Sequence, residues 1–350
     1  MPSKEAISTM ITKKKHLIPV ITVLVVLIAG YWYIVNLQHF PSIESAFIVP
    51  VNSDGFIAPV EEDGVLAPDG SYIYTSFHSR VNLSNGLISS NELAYQLDLE
   101  IARSFLSLSP NGHYLTGETG GDESHRYLLD MKEKSYQEES HLCQSWSRDS
   151  TRCLEVFHSS LVDMPSNKVI EEWSRNEDFT KIRNVSGSYV FLWDMDRHIP
   201  IAEVYPCLNK KGEETNVYCL VSLSYDEIGF SKYKDREHST IVPILEVQPP
   251  REVVSWIFDP KGKYVLFAVW EHAGEYVSGY NDLDTITDSI LILVNWRTKQ
   301  SEEIFRISDI DNTHVAVGRG SSALQWSSDG STIFISRSYA PAVVLKIKYP

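Results

Sequence analysis

The chain has 350 residues, 43% hydrophobic and 22% charged, with a formal net charge of −15. That is enough chain for two domains or one large repetitive one, and its ordinary composition excludes a disordered, collagenous or multi-span membrane protein. The acidic balance excludes duplex nucleic acid as a partner, because phosphate affinity needs clustered Lys and Arg.

The chain begins with a basic tail and an apolar run. Residues 1–16 hold Lys4, Lys13, Lys14 and Lys15 against one acid, Glu5, and residues 17–35 carry no charge. As a helix that run spans about 28 Å, close to a bilayer core. Apolarity continues through Tyr31, Trp32 and Tyr33, where a cleaved signal peptide would turn to small residues. The expected organisation is therefore a cytoplasmic tail over 1–16, a transmembrane signal anchor over 17–35, a linker over 36–44 and an exported domain over 45–350. Such a domain would lie in the periplasm or extracellular space, tethered to the inner or plasma membrane. The tail carries +3, which leaves −18 beyond the anchor. That surface suits cations or the basic surface of another exported or membrane protein.

After residue 45 a short pattern returns: an apolar strand end, a turn rich in Pro, Asp, Asn and Gly, then an aromatic strand start. Clear copies are Leu66-Ala-Pro-Asp-Gly-Ser-Tyr-Ile-Tyr74, Leu108-Ser-Pro-Asn-Gly-His-Tyr-Leu115, Phe258-Asp-Pro-Lys-Gly-Lys-Tyr-Val-Leu266 and Trp326-Ser-Ser-Asp-Gly-Ser-Thr-Ile-Phe334. Weaker ones are Trp146-Ser-Arg-Asp-Ser-Thr-Arg-Cys153, Val185-Ser-Gly-Ser-Tyr-Val190 and Leu223-Ser-Tyr-Asp-Glu-Ile-Gly-Phe230. The turn anchors Asp69, Asn111, Asp149, Ser186, Asp226, Lys261 and Asp329 are separated by 42, 38, 37, 40, 35 and 68 residues. Gly accepts positive φ, Pro fixes a corner, and Asp or Asn bonds back to its own backbone, so each copy reads as a hairpin turn. Repeats near 40 residues, without long helical periodicity, predict an all-β propeller of seven blades, or six if Asp226 is accidental. The aromatics at fixed offsets from each turn are read as packing between blades. The chain ends two strands after its last turn, so the apolar segment Ala46–Val51 is expected to complete the final sheet and hide its edge.

The cysteines Cys143, Cys153, Cys207 and Cys219 lie ten and twelve residues apart in two pairs. Three pairings are possible; bonding of sequence neighbours across two hairpins is expected, with buried free thiols as the alternative.

Loops between second and third strands vary most in length and are the expected recognition surface. His78, Arg80, Glu118, Asp122, Glu123, His125, His272, Glu275, Arg337 and Tyr339 are the residues expected on that partner face. Gly117–His125 lacks the Lys-Ser/Thr ending of a phosphate loop. Asp282, Asp284 and Asp288 are a weak calcium set, lacking the Gly and terminal Glu of an EF-hand loop. Neither Gly-x-Ser-x-Gly nor His-Glu-x-x-His occurs, and no cofactor is expected.

The Ser-Pro-Asp-Gly-like turns resemble the blades of TolB-like propellers, in the wider group of WD-like repeats, and the propellers preceding some exported peptidases. They lack the regular Gly-His and Trp-Asp marks of WD repeats. The resemblance implies fold more than function. The expected function is a membrane-anchored, non-enzymatic protein-binding or scaffold module. The alternative is an exported hydrolase or lyase with a site at the central channel, assisted by calcium.

Overall fold

The computed structural model describes residues 40–50, 64–75, 79–90, 104–118, 125–138, 141–155, 160–164, 166–172, 191–194, 199–222, 224–226, 229–231, 241–273, 285–313, 315–319, 323–338 and 340–350, with Val26 alone before them. The expected anchor, Val26 aside, thus lies outside the described residues, and no helix among those described is long and apolar enough to cross a membrane.

The described strands form six four-stranded antiparallel sheets and one small hairpin: a six-bladed β-propeller within the compact unit Ser42–Lys348. Blade 1 comprises Val65–Leu66, Tyr72–Tyr74, Ser79–Asn82 and Ile88–Ser90; blade 2 comprises Ser104–Leu108, Tyr114–Glu118, Arg126–Asp130 and Ser135–Glu138. Blade 3 comprises Ser145–Trp146, Arg152–Glu155, Ser160–Asp163 and Lys168–Glu172; blade 4 comprises Phe191–Asp194, Ile199–Leu208, Glu214–Ser222 and Ile241–Glu246. Blade 5 comprises Arg251–Phe258, Tyr264–His272, Ile286–Asn295 and Gln300–Arg306. Blade 6 takes Leu324–Trp326, Thr332–Arg337 and Ala340–Lys348 from the C-terminal end and Ser42–Ile48 from the start of the domain.

The closing strand pairs Ser42 with Lys348 and Ile48 with Val343, so the ring is sealed by strand exchange between chain ends. Val49 and Phe47 continue this seal into the cluster of Leu66, Ile73, Val81, Leu83, Phe334 and Val344, which joins blades 6 and 1. Similar clusters join blades 1 and 2 around Tyr74, Leu115 and Leu129, and blades 4 and 5 around Leu192, Val204, Trp256 and Phe267.

The turn motif has one geometry in five blades. Ala67, Ser109, Ser147, Asp259 and Ser327 each donate their N–H to the carbonyl five residues on, and each carbonyl accepts from the N–H three residues on. Gly70, Gly112, Gly262 and Gly330 fill that last position with positive φ. Ser150 does so in blade 3 at φ 63°. Its hydroxyl accepts from Asn111 N at 3.0 Å, an inter-blade bond that glycine lacks. Tyr114 stacks on Trp146 with rings 6° from parallel, so these aromatics pack blade against blade as their spacing suggests.

The described residues form six blades rather than seven, the alternative expected if the Asp226 copy is accidental. Ser224–Asp226 and Gly229–Ser231 pair only with each other, as a hairpin between the third and fourth strands of blade 4. Among the described strands neither joins a four-stranded sheet, so the pair makes no blade. Ser186 lies outside the described residues; the fourth blade begins with Phe191–Asp194, and Asp194 lies opposite Ile199. Trp193 Nε1 donates to Ser145 Oγ at 2.9 Å, as Trp146 Nε1 donates to Ser107 Oγ at 2.8 Å, which places Trp193 where Trp146 stands in its own blade.

Cys143 bonds Cys153, and Cys207 bonds Cys219. The first disulfide is fully buried between blades 2 and 3, beside Leu128 and Val162. The second clamps the second and third strands of blade 4 around the tight turn Asn209–Glu213.

Two stability outcomes follow. In Gly70→Ala the new Cβ overlaps the Thr332 side chain, whereas in Gly212→Ala, at a similar positive φ, it meets nothing within 4 Å. Chemical denaturation should show a loss of about 1 kcal/mol for Gly212→Ala from backbone strain and about 1–3 kcal/mol more for Gly70→Ala. Deleting residues 42–48 exposes the edge of Ala340–Lys348 and should abolish the cooperative thermal transition; an unchanged Tm would contradict closure.

Candidate functional site

Antiparallel order gives the propeller two chemically different ends. The motif turns, between first and second strands, lie at one end; loops between second and third strands, and the links between blades, lie at the other. At the turn end the hairpins of blades 6, 1, 2 and 3 are tied together. Asp329 N donates to Pro68 O, Ser328 Oγ to Pro110 O at 2.6 Å, and Asn111 N to Ser150 Oγ. Because Ser328 reaches past blade 1 to blade 2, this end is drawn in over itself.

The loop end carries the ion pairs. Among the described residues every ion pair closer than 4 Å joins groups at or near this end. In blades 2 and 3 the second strand closes on a glutamate, Glu118 and Glu155, and in blade 5 Glu271 stands one residue before its last, His272, where the sheet meets the loops.

Between blades 2 and 3 the Glu155 side chain is fully buried. Its carboxylate takes Arg126 Nη1 at 3.0 Å, His141 Nδ1 at 2.6 Å and Ser160 Oγ at 3.3 Å. Arg126 reaches on to Glu118 at 3.8 Å. A buried carboxylate is stabilised only when such partners replace its water. Here they also fix the orientation of the partly exposed His141 ring.

Blade 5 carries a larger lattice. Arg306 contacts Glu271 at 3.1 Å, Asp288 at 3.3 Å and Glu303 at 2.5 Å, while Arg251 takes Glu271 at 2.9 Å. Burial pushes the Glu271 carboxyl up, but the two guanidiniums outweigh it and hold it below the usual range. Hydrogen bonds to Glu303, against desolvation, hold the Arg306 guanidinium above its usual value. Beside this lattice His272 Nδ1 lies 2.9 Å from Thr285 Oγ1, and His272 Nε2 lies 3.6 Å from Glu252, whose other oxygen takes Arg319. Arg337, fully buried, donates to Asp311 at 2.8 Å and to Pro341 O at 2.6 Å. Hydrogen bonds from Thr313, then the charge of Arg337, overcome burial and hold Asp311 well below the carboxylate range.

Of the residues expected on the partner face, Arg80, Glu118, His125, His272 and Arg337 are described, and all come from this end. Arg80 lies 4.6 Å over the Tyr72 ring in blade 1, and burial and Tyr72 push the adjacent Tyr74 up to about 12. His125 contacts Glu138 at 3.1 Å. Arg337 and His272 need correcting as contact residues: Asp311 and Glu252 hold them inside the protein. His78, Asp122, Glu123, Glu275 and Tyr339 lie outside the described residues, as do Asp282 and Asp284. Asp288 of the calcium set is engaged by Ser308 at 2.6 Å and by Arg306, so a guanidinium stands where a cation was expected. Among the described residues no three His, Cys, Asp or Glu converge as metal ligands. Gly117, read as part of a loop, lies inside the second strand of blade 2 opposite Tyr127.

Sequence reasoning missed Glu155, His141, Arg126, Glu252, Arg306, Arg319 and Asp311. One signal was available: a glutamate at or one residue before the end of the strand that follows the turn in three repeats.

No family model and no curated protein matches the chain. Solved structures resemble it at low identity. The C-terminal WD40 domain of Sif2 is 11% identical at TM-score 0.37, over 89% of this chain and 99% of that one. TolB from Acinetobacter baumannii is 9% identical at TM-score 0.36, over 81% of this chain and 62% of that one. An oligogalacturonate lyase in complex with manganese is 11% identical at TM-score 0.38, over 82% and 88% respectively. At these values no activity transfers to this chain.

Acid should unfold the loop end through its depressed carboxylates. A carboxylate held low in the folded state contributes stability above its unfolded pKa, about 3.9 for Asp, and loses it as pH falls through the folded value. Asp311→Asn should lower stability at pH 7 by about 3 kcal/mol, because it leaves a buried guanidinium without its counter-charge. Thermal scans from pH 7 to 2 should also show a shallower decline below pH 4 than in the parent.

Proposed function

We propose that the chain is a membrane-anchored, exported β-propeller that binds another protein through its loop end, acting as a scaffold rather than a catalyst. The observation that carries this reading is the gathering of the described ion pairs at one end. There, paired charges hold loop-bearing strand ends rigid, while the hairpins of the other end are tied to one another. A preordered polar surface with exposed members loses little side-chain entropy on docking. The excess of −18 beyond the apolar run favours a partner with a basic surface and a fast, salt-sensitive encounter. The basic tail and the uncharged run over 17–35 support placement at the inner or plasma membrane, N-terminus in the cytoplasm and propeller in the periplasm or extracellular space.

One observation favours a second reading, an exported hydrolase or lyase. Buried Glu155 orients His141 through Nδ1 and leaves Nε2 to act as an acid or base.

Photo-crosslinkers placed in the full-length chain in cells separate these readings. A crosslinker at Glu138, on the loop end, should give one discrete adduct that high salt weakens, and one at Lys263, on the turn end, should give none. Equal labelling from both ends, or none from Glu138, would overturn the binding reading.

A further inference from the structure

The four arginines at the loop end of blades 5 and 6 are not equally engaged. Arg306 serves three carboxylates, Arg251 reaches Glu271 and, at 4.0 Å, Glu303, and Arg337 is buried against Asp311 and a carbonyl. Arg319 contacts one carboxylate, Glu252, through a single nitrogen, Nη2, at 3.2 Å. Its side chain is 55% exposed, the most exposed in this network.

The guanidinium is nevertheless held in place. Its carbon sits 4.4 Å over the ring of buried Trp270. The segment carrying it is fixed on both sides: Val317 N donates to Ser289 Oγ, Trp270 Nε1 to Val317 O, Gly318 N to Ser336 O and Ser338 N to Ala316 O. Stacking on an aromatic face orders the fork without consuming its in-plane donors. Among the described residues the Nε and Nη1 edge has no carboxylate, and that edge is the one that binds a carboxylate through two parallel hydrogen bonds.

Charge along the chain points the same way. Residues 251–350 hold ten Lys and Arg against twelve Asp and Glu, a net −2, which leaves −16 on residues 17–250. Blade 5 and the C-terminal part of blade 6 are therefore where an acidic segment meets least repulsion.

We infer that Arg319, stacked on Trp270 and anchored by Glu252, is the recognition point for a carboxylate side chain on an acidic segment of the protein partner. This rests on the binding reading and adds to a partner whose surface is otherwise basic one local acidic segment, facing this sector. On this face Arg126, Arg251 and Arg306 already reach two or more carboxylates and Arg337 is buried; at Arg319 the second carboxylate comes from outside.

The probe is a fluorescently labelled hexaglutamate peptide, titrated by anisotropy onto the full-length protein at low salt, with hexalysine as its opposite. Arg319→Gln should weaken hexaglutamate binding at least tenfold, and Arg319→Lys should recover only part of it, since an ammonium lacks the fork. Arg297→Gln is the control: that guanidinium also stacks on a tryptophan, 5.0 Å over Trp296, but at the turn end, and its loss should leave binding unchanged. An unchanged Tm in all three variants would place the effect at the site. Absence of hexaglutamate binding, or equal weakening by Arg297→Gln, would overturn the assignment. If the Glu138 crosslinked adduct persists undiminished in Arg319→Gln, partner binding stands and the role of Arg319 falls.

Discussion

The structure depends on one constraint: a ring of sheets leaves no free edge at its seam only if the chain ends share a blade. Ser42–Ile48 meets Ala340–Lys348 along its whole length, and the adjoining Val49 enters the apolar cluster between blades 6 and 1. Every other blade is local in sequence. This one joins residues about 300 positions apart, so it converts a row of hairpins into a closed body. Closure also brings the turn of blade 6 against those of blades 1 and 2.

From closure follows the division of labour between the ends. The turns approach so closely that a Cβ at Gly70 would overlap the Thr332 side chain and one at Gly112 would press on the Pro68 ring. Small hydroxyl and Asx contacts are what fit there. The loop end, where strands diverge into connections, has space for long side chains, and arginines and carboxylates fill it. Glu155 and Arg337 are buried because each has its counter-charge in place, and their rigidity extends to the half-exposed groups beside them.

The two enlarged blades differ from the rest in the same sense. Blades 4 and 5 have second and third strands of nine or ten residues, against three to five in blades 1 to 3. Blade 4 clamps its longer ribbon with a disulfide; blade 5 clamps its own with the lattice around Arg306. Extended strands without such clamps would expose backbone edges beyond the ring.

The sequence by itself determined the turns, the all-β repeat, the disulfide partners and that a segment at the start of the domain closes the ring, although the strand is Ser42–Ile48 and the segment expected was Ala46–Val51. Each is a local or short-range preference: positive φ at Gly, a ten- or twelve-residue spacing, an apolar segment lacking a mate. The six-blade alternative holds because Asp226 imitates the turn chemistry in a small hairpin, and the fourth blade, beginning Phe191-Leu-Trp-Asp194, was recognisable only through the contact of Trp193 with Ser145. The sequence set the variable loops apart at one end, but not which charges gather there. Arg126 and Glu155 are 29 residues apart, Arg306 and Glu271 are 35, and Arg319 and Glu252 are 67. Only tertiary structure sets such groups against one another, because pairing of charges depends on distance and burial, and neither is written in the order of residues along a strand.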